Sequence, residues 1–218
     1  MKVIGLCGGS GSGKAVVSSL FLKHNIPSID TDAVYRELTS GGSECLDALR
    51  FEFGDEIIDT DGSLNRRKLA SIVFAEKDST IKLKKLNEIS HKFILGETRR
   101  RLHVYAEQGC LAAIVDAPVL FESGFDSECD LTVCVVADRE VRISRIISRD
   151  NISREAAEAR INSQMSDEEL TSRCDYVVYN NSDLDALDHQ VNEIVNSIKN
   201  NLKGDKYNER KDHWTGNA

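Results

Sequence analysis

Short apolar runs alternate with segments of helical periodicity along most of the chain. Continuous apolar runs fill residues 2–6, 111–115 (LAAIV) and 131–136 (LTVCVV), which is typical of strands buried on both faces of a sheet. Residues 26–30 and 176–179 are shorter runs of the same kind. Because helical segments separate these runs, the pattern predicts an α/β fold with a parallel sheet and right-handed crossover helices.

The helical segments differ in length and character. Residues 16–22 and 33–38 follow the first two predicted strands as ordinary connecting helices. In residues 43–110, apolar and charged positions repeat with helical period over a much longer stretch. We therefore expect a mostly helical insertion in this part of the chain.

The last third of the chain begins with a very basic helical stretch at residues 139–160. Ser166 and Glu169 have the spacing of a capping box, which predicts the start of a short helix. A final helix presents one apolar face, and residues 203–218 are polar and lack periodicity. The chain is therefore predicted to form a single domain over residues 1–202, followed by a loose polar tail.

Composition narrows the class of protein. The 218 residues carry a formal charge of −8, which argues against a general nucleic-acid binder with a basic face. No apolar run approaches the roughly 20 residues that span a bilayer, and the first apolar run is too short for a signal peptide. The six cysteines include no C-x-x-C pair, so they predict reduced thiols in a cytoplasmic protein rather than structural zinc.

A phosphate-binding loop follows the first predicted strand. The sequence from Gly8 to Lys14 fits G-x-x-x-x-G-K, in which glycines let backbone N–H groups surround phosphate oxygens and the lysine reaches the β- and γ-phosphates. The alternative, a dinucleotide-binding G-x-G-x-x-G, would place Lys14 where its third glycine belongs. The predicted nucleotide-binding residues here are Gly9, Ser10, Gly11, Ser12, Gly13, Lys14, Ala15 and Val16.

Ala15 stands where a P-loop usually has Ser or Thr, whose hydroxyl binds Mg²⁺. The backbone still binds phosphates without that hydroxyl. A water can take its place, since Mg²⁺ commonly keeps several waters. The other interpretation is a nucleotide binder with poor turnover.

Further motifs follow the P-loop in a fixed order. Asp30 and Asp32 form a D-x-D after the second strand, and Asp116 begins an Asp-x-Pro-x-Leu-Phe-Glu stretch after the third. The chain resembles the dephospho-CoA kinases, the last enzymes of coenzyme A synthesis, over residues 1 to about 200. The other residues that carry the resemblance are Phe53-Gly54, residues 61–69, Val73-Phe74, residues 86–91, Arg145, Arg149-Asp150, Gln164 and residues 175–180.

The resemblance implies an ATP- and Mg²⁺-dependent kinase that phosphorylates the ribose 3′-hydroxyl of dephospho-CoA to give coenzyme A. Its helical insertion would bind the acceptor, and residues 139–165 would form a basic lid. Besides Ala15, the chain departs from the family at Lys92, where a proline is usual after the histidine. It departs again at Arg142, where a glutamine is common.

Two carboxylates are candidates for the chemistry. Asp32 follows strand two, at the sheet edge where ligands bind, and the family pattern also places the catalytic base there. Its alternative role is to cap the helix that follows. Asp116 ends the third strand, where it would either orient the metal or serve as a turn residue before Pro118.

The remaining candidates come from the lid and from the resemblance. Arg145 and Arg149 lie four apart on one predicted helix face and would stabilise the charge on the transferring phosphoryl group, or else form a solvated basic face. The resemblance implies that His91 and Glu122 contact the acceptor and that Asn180 lies at the adenine. A lone histidine on a helix is also commonly a packing or surface residue.

Two other functions stay open at this point. Another small P-loop kinase of nucleosides or nucleoside monophosphates would share the fold, the loop and the lid. An ATP-binding regulatory protein with weak catalysis would explain Ala15.

Overall fold

Five parallel strands form one sheet in the computed structural model, which describes residues 1–75 and 78–212, with side chains described up to residue 200. The order across the sheet is β2-β3-β1-β4-β5, and every neighbouring pair is parallel. The strands in chain order are β1 (Lys2–Cys7), β2 (Ser28–Asp30), β3 (Ala112–Asp116), β4 (Leu131–Val136) and β5 (Tyr176–Tyr179).

The register brings the carboxyl ends of three strands to one edge of the sheet. Asp116 at the end of β3 pairs with Leu6 of β1 on one side and with Asp30 of β2 on the other. The P-loop leaves β1 one residue beyond Leu6, after Cys7. Phosphate loop and acidic residues therefore lie at the edge where ligands bind in open α/β sheets.

Helices cover both faces of the sheet and form most of the chain between β2 and β3 and between β4 and β5. In chain order they are α1 (Lys14–Lys23), α2 (Thr31–Leu38), α3 (Glu44–Phe53), α4 (Arg66–Val73), α5 (Ser79–Glu107), α6 (Arg139–Asp150), α7 (Arg154–Asn162), α8 (Asp167–Arg173) and α9 (Leu184–Asp212). Short 3₁₀ helices lie at Asp55–Ile57 and Phe125–Glu128. Within the described residues, no helix is both long and apolar enough to cross a membrane.

The two faces of the sheet and the insertion each have their own cluster of buried apolar residues. α1 and α9 cover one face of the sheet, where Phe21, Val191 and Val195 belong to one buried cluster. α2, α8 and the second half of α5 cover the other face. The insertion has its own core around Leu49 and Leu69, to which the first half of α5 contributes. α5 therefore packs against both the sheet and the core of the insertion.

The structure confirms the α/β fold and corrects several element boundaries. β2 begins at Ser28, after Pro27, which has no N–H to donate to the ladder. The basic stretch forms two helices, because Asn151 adopts a left-handed conformation with φ of 51° and ends α6. α9 continues past the boundary predicted at residue 202, and residues 213–218 lie outside the described residues.

Candidate active site

The phosphate loop connects β1 directly to α1. α1 begins at Lys14, and Gly13 before it has a φ of +98°, a conformation that side-chain-bearing residues rarely adopt. A Cβ on Gly13 would lie 2.0 Å from Asn180 Nδ2, so a side chain there would also displace its neighbour. Lys14 Nζ donates to the Gly8 carbonyl at 3.0 Å and so lies over the loop.

Side chains of residues 139–165, the predicted lid segment, form hydrogen bonds with the backbone of the P-loop. Arg142 on α6 donates from Nε to the Ser10 carbonyl at 2.9 Å, and the Ser10 N–H donates to Gln164 Oε1 at 2.8 Å. Arg145, one turn further along α6, donates to the carbonyls of Gly11 and Ser12 at 3.2 and 3.3 Å. The carbonyls of Ser10, Gly11 and Ser12 thus bond to arginines of α6. The Ser12 N–H bonds to the Gly9 carbonyl within the loop at 3.1 Å, so the N–H groups that can meet a phosphate are those of its neighbours, Gly11, Gly13 and Lys14.

Asp30 and Asp32 have different roles in the structure. Asp30 is the N-cap of α2, and its Oδ1 accepts from the N–H groups of Asp32 and Ala33 at 2.9 and 3.0 Å. Asp30 therefore fills the capping role that the sequence left open for Asp32. Asp32 lines the cleft beside the P-loop instead.

The pKa of Asp32 is raised, first because the surrounding protein desolvates the carboxylate and then because Asp30 repels its charge. Lys14 and Arg36 act in the opposite direction, since their positive charges favour the ionised form. A carboxylate of raised basicity beside a phosphate loop is suited to accept a proton from a hydroxyl group.

Asp116 is the most perturbed carboxylate of the site. Its Oδ1 is buried without a hydrogen-bond partner, and Lys14 Nζ lies 4.0 Å from it. The pKa of Asp116 is raised to about 6, chiefly because burial disfavours the charged carboxylate. The charge of Lys14 opposes this shift, and the negative charges of Asp30 and Asp32 add to it. A buried carboxylate oxygen with no donor is a position that a cation would satisfy.

One cleft of about 790 Å³ brings most of the predicted residues together. It is lined by the loop residues from Gly9 to Ala15, and by Asp32, Asp116, Arg145 and Arg149. Arg149 is exposed and pairs with the neighbouring Asp150 at 2.7 Å. The volume lies in the range of small-molecule binding sites.

Four predicted residues do not line this cleft. Val16 is exposed on the first turn of α1. Asn180 is buried behind the loop, where its Nδ2 donates to the Ser12 carbonyl at 2.7 Å. His91 lies on α5, partly buried, and burial lowers its pKa. Glu122 is exposed in the turn after β3. Their proposed ligand contacts stay predictions.

The sequence alone predicts no role at the loop for Arg142, Gln164 or Asp167. Arg142 is almost fully buried and binds the Asp167 carboxylate at 2.8 and 3.0 Å as well as the loop. Its position three residues before Arg145 on a helix, and therefore on the same face, was the available signal. This spacing alone does not show that Arg142 and Arg145 contact the loop rather than solvent.

A parallel sheet, a phosphate loop at the end of β1, adjacent carboxylates and a basic lid together define a P-loop kinase. The family model described as dephospho-CoA kinase matches residues 2–186. A relative from Bacillus cereus, named dephospho-CoA kinase, is 36% identical over 193 residues, which are 88% of this chain and 95% of that protein. An uncharacterized protein from Caenorhabditis elegans is 38% identical over 93% of this chain and 85% of its own length.

A solved structure of a dephospho-CoA kinase from Campylobacter jejuni is similar to this chain, with a TM-score of 0.66 at 21% identity. The match covers 91% of this chain and 98% of the chain in that structure. At that identity it supports the fold alone. The family match and the bacterial relative go further: the chain belongs to the dephospho-CoA kinase family. It is accordingly an ATP-dependent kinase.

Proposed function

We propose that the protein transfers the γ-phosphoryl group of ATP to the ribose 3′-hydroxyl of dephospho-CoA, which gives coenzyme A and ADP. Membership of the family supports the substrate. The observation that supports the chemistry is the position of Asp32, which lines the P-loop cleft, whereas Asp30 caps α2. The proposed setting is the cytoplasm, since all six cysteines, each within the described residues, are free.

The backbone N–H groups of the P-loop bind the β- and γ-phosphates, helped by the positive end of the α1 dipole. Lys14 moves from the Gly8 carbonyl to the phosphates when the nucleotide binds. The acceptor oxygen forms a bond to the γ-phosphorus as the bond to the β–γ bridging oxygen breaks, and Asp32 takes the hydroxyl proton. Arg145 and Arg149 stabilise the charge on the phosphoryl oxygens from the lid side of the cleft.

Mg²⁺ fits the residues of the site even without a hydroxyl at Ala15. The buried Oδ1 of Asp116 has no hydrogen-bond partner and belongs to a carboxylate, the ligand type that Mg²⁺ prefers. Asp116, directly or through water, would hold the ion, with the remaining positions taken by water and phosphate oxygens. When bound, Mg²⁺ neutralises charge on the phosphates of ATP.

The Asp32→Asn variant tests this proposal. It keeps the shape of the side chain but removes its charge and basicity, so we expect kcat with dephospho-CoA to fall by roughly 10²–10⁴. ATP affinity, measured by calorimetry, is expected to change little. Coupled ADP release and mass detection of coenzyme A are the measurements.

Asp30→Asn is the matched control, because asparagine caps a helix about as well as aspartate and the charge change is the same. It is expected to keep kcat within a few-fold of the parent. If Asp32→Asn kept a near-normal kcat, the base would lie elsewhere. If the parent phosphorylated a nucleoside monophosphate but not dephospho-CoA, the assigned acceptor would be wrong.

A further inference from the structure

Three cysteine sulfurs meet beneath the phosphate loop. The Sγ atoms of Cys7, Cys134 and Cys174 all lie within 4.8 Å of one another, and Cys7 Sγ and Cys174 Sγ are 3.4 Å apart. Cys7 and Cys134 are at most 1% exposed, and Cys174 is partly buried. The 3.4 Å separation is far longer than the roughly 2.05 Å of a disulfide bond, so these are three separate thiols.

The fold, rather than local sequence, assembles this cluster. Cys7 ends β1 and Cys134 is its register partner on β4, so both side chains lie side by side on one face of the sheet. Cys174 directly follows α8, which packs against that face. Because all three come from regular elements or their ends, their sulfurs are held in place without any ligand.

We propose that this thiol cluster binds one soft d¹⁰ metal ion, Cu⁺, in three-coordinate fashion. Metal–sulfur bonds of about 2.3 Å in a trigonal arrangement place the sulfurs about 4 Å apart, within the range that the cluster spans. Thiolates are soft ligands and favour Cu⁺ or Zn²⁺. Structural Zn²⁺ almost always takes four ligands, whereas no fourth His, Cys, Asp or Glu joins this group among the described residues.

Binding replaces S–H bonds by Cu–S bonds, and each displaced proton goes to solvent. Copper stays Cu⁺, so the step needs no oxidant or reductant. The bound ion links β1, immediately before the P-loop, to the end of α8. Because it binds the folded cluster and not the dispersed thiols of the unfolded chain, it raises the unfolding temperature.

The test uses the full-length protein, reduced and handled without oxygen. Cu⁺ is supplied as its coloured bicinchoninate complex, and the loss of colour reports transfer to the protein. We expect transfer of one equivalent per chain and an increase in the unfolding temperature. Affinity is expected to rise with pH because protons are released.

Cys174→Ser is the main variant, since it changes the least buried sulfur, and it should reduce Cu⁺ affinity at least tenfold. Cys134→Ala is the second, because an apolar side chain suits its buried position. Circular dichroism checks that both variants are folded. Cys45→Ser and Cys110→Ser remove cysteines outside the cluster and should leave transfer unchanged.

Three outcomes would overturn the proposal. The first is no transfer of Cu⁺ to the reduced protein. The second is transfer that survives in folded Cys174→Ser and Cys134→Ala. The third is preferential binding of one Zn²⁺ with no uptake of Cu⁺, which would require a fourth ligand that the cluster does not provide.

Discussion

The contact between Arg142 and Asp167 predicts a measurable link between the lid and the affinity for ATP. Arg142 is 5% exposed and donates both to the Ser10 carbonyl and to Asp167, whose side chain is 34% exposed. Arg142→Ala leaves the carbonyl and the carboxylate without their donor. Breaking a fully buried ion pair costs about 3–5 kcal/mol, and water access to Asp167 reduces this to about 2–3 kcal/mol.

Arg142 does not line the cleft, so its effect on the reaction passes through the position of the loop. We therefore expect KM for ATP to rise by roughly tenfold while kcat changes much less, because Arg142 meets the loop backbone and not the reacting groups. Urea unfolding gives the stability change, and a coupled ADP-release assay gives the kinetic constants. A double-mutant cycle of Arg142→Ala with Asp167→Asn is expected to show a coupling of about 1–2 kcal/mol.

Arg139→Ala is the matched control on the same helix. Arg139 bonds to Asn162 at the surface rather than to the loop, so its removal should cost less than about 0.5 kcal/mol and leave KM unchanged. An unchanged KM for ATP in the folded Arg142→Ala protein would refute the positioning role. Additive effects of the Arg142 and Asp167 changes would refute the coupling.

Three other changes test the remaining parts of the site. Lys14→Ala should weaken ATP binding in calorimetry and abolish turnover; an unchanged affinity would contradict the P-loop assignment. Ala15→Ser restores the hydroxyl ligand and should lower the Mg²⁺ concentration for half-maximal activity, while identical titrations would show that residue 15 does not meet the metal. Asp116→Asn should stabilise the ligand-free protein at pH 7.5 by about 3 kcal/mol. The Asp116 carboxyl has a pKa of about 6 in the folded protein against an ordinary value of 3.8, so its ionisation destabilises the folded state as pH rises. In urea unfolding that gain should be smaller at pH 5, and equal gains at both values would exclude titration of Asp116 as the cause.

The sequence predicts those parts of the site that are local in the chain. The loop from Gly8 to Lys14 needs only its glycines, its lysine and the flanking strand and helix, all of which lie within a few residues. The carboxylates follow from the rule that parallel strands end at one edge, so the sequence predicts that Asp32 and Asp116 lie there whatever the strand order. Spacing could not decide which aspartate caps α2, since both Asp30 and Asp32 stand near its start.

Contacts distant in sequence could not be predicted in the same way. Arg142 lies 132 residues from Ser10, and its buried position depends on how α6 and α8 pack beside the loop. The thiol cluster depends on the register of β1 with β4 and on the place where α8 ends. Six cysteines without a C-x-x-C pair therefore gave no sign of a cluster, whereas three of them lie together in the fold.

The contact of Arg142 with the loop also explains why residue 9 is glycine, a requirement that phosphate binding alone does not impose. A Cβ on Gly9 would lie 2.1 Å from Arg142 Nη2, on the side of the loop that faces the lid. The absence of a side chain thus lets an arginine approach the backbone and bond to the carbonyl of the next residue. In the proposed function, phosphate binds the N–H groups of the loop, whereas Arg142 and Arg145 contact its carbonyls. We therefore expect ATP affinity to depend on how α6 packs against the loop backbone, and this is the dependence that the Arg142 and Asp167 variants measure.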